Sequence, residues 1–156
     1  MDKVKVKILF VCTGNTCRSP MAEFMFKEYL KEKKCGGNFS VSSAGLYAER
    51  GAVLSDGADK ALEALGVKHT MRKARMLTVQ MCNDADVIIA VTNEHARACG
   101  EGAYSFERFT GRPVLDPYGG SLRVYLDCAA QMRSAFDGIY DVCADVYDKK
   151  TNARKC

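Results

Sequence analysis

Residues Cys12-Thr13-Gly14-Asn15-Thr16-Cys17-Arg18-Ser19 place a cysteine six positions before an arginine, behind the apolar run Val6 to Val11 and ahead of Pro20. Val6, Ile8, Leu9, Phe10 and Val11 predict a buried strand, while Ala22, Met25, Phe26, Tyr29 and Leu30 recur at helical spacing. The octapeptide therefore joins a strand's carboxyl end to a helix's amino end. Unpaired backbone N–H groups and the helix dipole favour an anion there, and Gly14 and Asn15 permit the positive-φ geometry that turns successive N–H groups inward. A dianionic phosphoryl group suits such a loop. The same field favours the thiolate of Cys12, the form that attacks phosphorus. Arg18 offers a planar fork for two equatorial oxygens, and the Ser19 hydroxyl can donate to the thiolate and help it leave. A blander reading is a buried structural cysteine beside a surface arginine, but glycine, asparagine and serine in their places at a strand-to-helix turn argue for chemistry.

Departure of an alkoxide, phenoxide or amine from phosphorus needs a proton, which a thiolate loop cannot give. Asp116-Pro117-Tyr118-Gly119-Gly120 supplies a candidate acid. Pro117 stiffens the turn, the glycines let the loop lie over a pocket, and Tyr118 can form an aromatic wall. By itself Asp-Pro is an ordinary turn initiator; its pairing with the cysteine loop changes its meaning.

These residues resemble the low-molecular-weight protein-tyrosine-phosphatase family. The likeness runs from the nucleophile loop through Ser42-Ser43-Ala44-Gly45 and Ala85-Asp86-Val87-Ile88 to the Asp-Pro-Tyr loop and the closing helix. It implies a phosphocysteine on Cys12 while Asp116 protonates the leaving group, followed by hydrolysis with help from Asp116. Arg18 and the loop Thr13 to Ser19 would hold the phosphoryl group, with Asn15, Ser19 and Ser43 bracing the loop. No metal or organic cofactor is implied; phosphorylated proteins are the implied substrates, and inorganic phosphate the product and inhibitor. A family histidine near Lys73-Ala74-Arg75 appears here as Arg72 or is displaced to His69.

Within the family the chain looks most like the bacterial protein-arginine-phosphatase branch. Thr13 and Thr16 stand where phosphotyrosine enzymes usually carry bulky aliphatic residues, and Tyr118 is followed by Gly119-Gly120-Ser121 instead of a second aromatic. In that branch a threonine at the place of Thr16 sets selectivity, accommodating a guanidinium. Tyr118 stands where phenylalanine is common, keeping the wall and adding a hydroxyl. Phosphotyrosine is the alternative substrate. Rivals from other classes are weaker: an arsenate reductase would need two shuttling cysteines after the third strand, where only Cys99 lies; a flavin-dependent electron carrier has no use for Cys12, Arg18 and Asp116; and a non-catalytic phosphoresidue-binding module would not need both thiol and acid.

The elements that must position these groups alternate. After the first strand and helix come a strand from Phe39 to Ser43, a helix capped by Ser55 and ended by Gly66, a short helix from Thr78 through Cys82, a buried strand from Asp86 to Val91, a helix from Asn93 to Cys99, a weaker fourth strand from Ala103 to Phe109, and a long amphipathic helix from Leu122. The pattern predicts an α/β fold, a three-layer doubly wound sandwich with a four-stranded parallel sheet and helices on both faces, as one domain over residues 1–156 with a frayed tail from Lys149 to Cys156. At 156 residues, 47% hydrophobic and 27% charged, the chain has the makings of a packed core. No apolar run approaches the roughly 20 residues of a membrane span, and Met1 to Lys5 lead into a strand, so a cytoplasmic location without membrane partner is expected. A net charge of +4 gives mild attraction for anions and does not argue for nucleic acid.

Eight cysteines lack the paired spacings of a zinc site. Cys35, Cys128 and Cys143 read as packing residues or exposed bystanders. Cys17, on the same loop as the nucleophile, can trap an oxidised Cys12 as a disulfide, or simply fill space beneath it. His69 and His95 have no ligand-like spacing and read as surface residues.

Overall fold

The computed structural model describes residues 4–155; residues 1–3, which begin the expected leading segment, and residue 156 lie outside it. Four parallel strands, β1 (Val6–Cys12), β2 (Phe39–Gly45), β3 (Val87–Ala90) and β4 (Tyr104–Ser105), pair in the order β2-β1-β3-β4. β1 is central because it is buried on both faces, and its side chains alternate as a pleat requires: Val6, Ile8, Phe10 and Cys12 enter the larger core, Leu9 and Val11 the smaller. The larger core lies under α1 (Arg18–Glu32), α2 (Asp56–Ala64), α6 (Leu122–Arg133) and α7 (Phe136–Lys155). α3 (Val79–Asp84) and α4 (Asn93–Cys99) cover the opposite face, giving three layers. Phe10 anchors the larger core, stacked on Phe106 at 5.8 Å between centroids and edge-on to Phe26 at 5.7 Å.

Three expectations need correction. The fourth strand is two residues long, and Phe106 to Thr110 form a helix, α5, because the Ser105 side chain accepts from the Arg108 N–H at 3.1 Å and caps it. The long closing helix is two helices broken at Ser134 and Ala135, where the Ser134 hydroxyl donates to the Gln131 carbonyl. The break turns Phe136 against Phe26, with centroids 5.0 Å apart. The tail expected to fray continues as helix to Lys155, pinned where the Lys150 ammonium donates to the Lys5 carbonyl and to Asp86 at 2.8 and 2.9 Å.

β1 and β2 run in register to their ends, Cys12 opposite Gly45, so the chain leaving β1 passes directly over β2's last residue. A methyl group on Gly45 would lie 2.5 Å from the Thr13 carbonyl oxygen and 2.9 Å from the Asn15 nitrogen. Gly45→Ala is therefore expected to destabilise the protein by about 1–3 kcal/mol. A lowered urea midpoint with unchanged slope would show it, and Gly36→Ala, where nothing lies within 4 Å of the added group, is the control. A Gly45 variant as stable as that control would rule out the close approach.

Candidate active site

The segment from Thr13 to Cys17 wraps around the sulfur of Cys12 at the carboxyl edge of the sheet, and α1 begins at Arg18. Asn15 has φ of 56°, the left-handed geometry that Asn tolerates better than most residues. That turn aims its own N–H at the Cys12 sulfur, 3.3 Å away. The Ser19 hydroxyl lies 2.8 Å from the same sulfur. Since the Asn15 amide donates to Ser19 Oγ at 2.8 Å, the hydroxyl proton is free to face Cys12. Cys12 is 2% exposed.

Loop support extends well beyond the residues expected to brace it. The Asn15 amide also donates to Ser43 Oγ at 2.9 Å, and its carbonyl oxygen accepts the Arg75 N–H at 2.9 Å. Ser43 donates in turn to Glu23, a carboxylate on α1 that is fully buried. Arg72 closes the network, 2.6 Å from the Glu23 carboxylate and 2.7 Å from Ser43 Oγ, and the Lys27 ammonium adds a third contact to Glu23 at 2.7 Å. Of the two residues offered for the family histidine, Arg72 lies in this network and His69 outside it, between Asp59 and the Val67 carbonyl. Glu23 was missed in sequence although a signal existed: an acidic residue inside the apolar face that Ala22, Met25 and Phe26 define.

Arg18 is 6% exposed and bridges the two halves of the site. One arm donates to the Val114 carbonyl at 2.8 Å, two residues before Asp116, and the other reaches Thr13 Oγ1 at 3.4 Å. Asp116 itself is exposed, its side chain accepting the Tyr118 N–H at 3.1 Å in a turn that holds the carboxylate forward. Cys128, on the buried face of α6, marks the convergence. Burial pushes its thiol up to about 12, Arg18 pulls it down, and Cys17, Asp116 and Cys12 add to the rise. Cys17 points away from the nucleophile's partners, donating to Ser55 Oγ at 3.1 Å and lying 3.4 Å from the Tyr125 hydroxyl.

Beside the loop opens a cleft of about 1000 Å³, lined by Gly14, Thr16, Ser55 and Tyr125 and flanked by Tyr47 and Tyr118. The two tyrosines are 76% and 75% exposed, aromatic walls presented to whatever enters. Tyr118 was expected there; Tyr47 was not, although its place directly after Ser43-Ala44-Gly45-Leu46 follows from the Tyr47 N–H to Thr13 carbonyl bond of 2.9 Å. His95 was read as a surface residue, but its ring is half-buried against Thr13, 2.8 Å from Oγ1.

Comparison with known proteins places the fold and the family. The chain is 38% identical over 130 residues to a protein-arginine-phosphatase of Bacillus subtilis, covering 76% of this chain and 83% of that protein. It is 33% identical over 147 residues to low molecular weight protein-tyrosine phosphatase A of Mycobacterium tuberculosis, covering 86% and 89%. The crystal structure of a low molecular weight protein tyrosine phosphatase from T. tengcongensis superposes with a TM-score of 0.79 at 31% identity, covering 88% of this chain and 99% of the other. Residues 7–149 match the model of the family described as low molecular weight phosphotyrosine protein phosphatase, and the chain belongs to that family of protein phosphatases with a cysteine-based mechanism.

Proposed function

We propose that this phosphatase acts on phosphoarginine in proteins, through a phosphocysteine on Cys12. The observation that carries the reading is Thr16: a hydroxyl-bearing side chain lines the cleft beside the nucleophile loop where an aliphatic group would favour a phenyl ring. A guanidinium has flat faces and edge donors, so Tyr47 and Tyr118 can stack on it while oxygen acceptors meet its N–H groups. The 38% identity to a protein-arginine-phosphatase supports the same choice. Phosphotyrosine is the second reading, favoured by the same pair of exposed aromatic walls, which suit a phenol ring equally well.

In this mechanism the loop amides and the Arg18 fork hold the phosphoryl oxygens while the Cys12 thiolate attacks phosphorus. The P–N bond breaks as Asp116 delivers a proton to the departing nitrogen. Water, activated by the now ionised Asp116, then releases phosphate and regenerates the thiolate, with Ser19 donating to the leaving sulfur. Cys17 has a place in the same reading: once free of Ser55 and Tyr125 it can condense with a Cys12 oxidised to the sulfenic acid, forming a disulfide and releasing water.

A phosphoarginine peptide is expected to show a higher kcat/KM than its phosphotyrosine counterpart, and Thr16→Ile to move the ratio by about 10–100-fold toward phosphotyrosine. A wild-type preference for phosphotyrosine would overturn the substrate assignment and leave the cysteine mechanism standing. Cys12→Ser should abolish turnover on either peptide. Asp116→Asn should lower kcat by roughly 10²–10⁴-fold with a poor leaving group and far less with an activated aryl phosphate; equal losses on both would deny Asp116 its role as acid.

A further inference from the structure

His95 occupies a position that the chemistry above does not use. It sits at the start of α4, whose N-terminus meets the nucleophile loop where β1 and β3 send their following segments to opposite faces of the sheet. Its Nε2 is 2.8 Å from Thr13 Oγ1, and its Nδ1 is 2.5 Å from Thr92 Oγ1. Thr92 also accepts the His95 backbone N–H at 3.2 Å, fixing the residue at both ends. Thr13 Oγ1 is shared with Arg18 at 3.4 Å. Arg18 has only donors, so Thr13 accepts from it; the hydroxyl keeps its proton and a second lone pair and can meet Nε2 in either role.

In either tautomer both ring nitrogens have a hydroxyl partner while the ring is neutral. Burial holds the His95 imidazole below its usual titration range, Arg18 adds to the effect, and Glu94 on the same helix opposes it. From the nucleophile loop the ring meets an uncharged hydroxyl, and Glu107 of the neighbouring α5 is engaged by the Asn93 N–H at 3.1 Å.

We propose that His95 is a positioning residue of the phosphate loop, coupling the occupancy of the anion site to its own protonation through Thr13 and Arg18. The proposal rests on the loop being the phosphoryl site. A bound dianion screens the charge of Arg18; the imidazole takes a proton from solvent and, with both nitrogens protonated, donates to Thr13 Oγ1 and Thr92 Oγ1, whose lone pairs can accept it. By linkage, the form with a protonated ring binds the dianion more tightly.

The chain has two histidines, so both can be followed by NMR titration, with and without saturating inorganic phosphate. His69 is the internal control: burial opposes its protonation, but the Val67 carbonyl and Asp59 outweigh it and hold the ring above its usual range. Phosphate is expected to raise the His95 midpoint by about one pH unit and leave His69 in place. The phosphate affinity of the wild type, divided by that of His95→Gln, should rise as pH falls through the His95 midpoint, a ratio from which phosphate's own titration cancels. His95→Ala should lower kcat/KM about fivefold, with partial rescue by His95→Gln, whose amide can still meet Thr13. Phosphate that perturbs the loop amides while the His95 midpoint stays still would overturn the coupling and spare the phosphate site. Phosphate that perturbs neither would overturn both.

Discussion

An anion loop that turns its N–H groups inward deprives its own backbone of the partners a strand or helix would supply, and the surrounding structure is organised to hold it in that state. Asn15 is the pivot. Its positive φ aims an amide at the Cys12 sulfur, and its side chain donates to the Ser19 and Ser43 hydroxyls and accepts the Arg75 N–H. Each of those anchors belongs to a different element: Ser19 to α1, Ser43 to β2 and Arg75 to the segment that follows α2. The loop geometry is thereby tied to the relative placement of several layers of the fold, and Gly45 leaves just enough space beneath it for the chain to pass.

The second tier of this support is ionic. Glu23 is fully buried, and a lone carboxylate in that position would be strongly disfavoured. Arg72, Lys27 and Ser43 supply the donors that make it tolerable. Arg72 as the cationic member sets the physics of the tier. A guanidinium stays charged throughout the working pH range, so Glu23 keeps its partner where an imidazole would lose its charge. Removing one member of such a pair leaves the other uncompensated, a loss of about 3–5 kcal/mol in comparable buried pairs. The pair is better understood as fixing one arrangement of the loop than as a source of net stability.

The site lies where doubly wound sheets bind ligands, at the carboxyl edge beside the strands whose connections diverge. β1 delivers the nucleophile loop there, and β3 delivers Thr92 and His95 on the adjoining helix. Asp116 comes from further along the chain, and Arg18 joins its loop to the Cys12 loop through the Val114 carbonyl. Tyr47 and Tyr118 reach the same cleft from loops after β2 and before α6, so the aromatic walls and the Cys12 loop are contributed by separate connections on one scaffold.

The amino-acid sequence by itself determined what is encoded by neighbours along the chain. The alternation of β1, the helical spacing of α1, the caps Ser55 and Thr78, and the chemistry of the Cys12 to Ser19 loop all depend on residues a few positions apart, so periodicity and residue type reveal them. Where local signals competed the reading failed: Ser105 caps α5 inside a stretch whose aromatic residues read as strand, and Ser134 ends α6 inside a continuous apolar pattern. Only the tertiary structure decided the partners of Glu23, Arg72 and His95. Arg72 meets Glu23 across 49 residues and His95 meets Thr13 across 82. A charged or titratable side chain looks the same in sequence whether it faces water or a buried partner, and the packing of distant strands and helices decides which it meets.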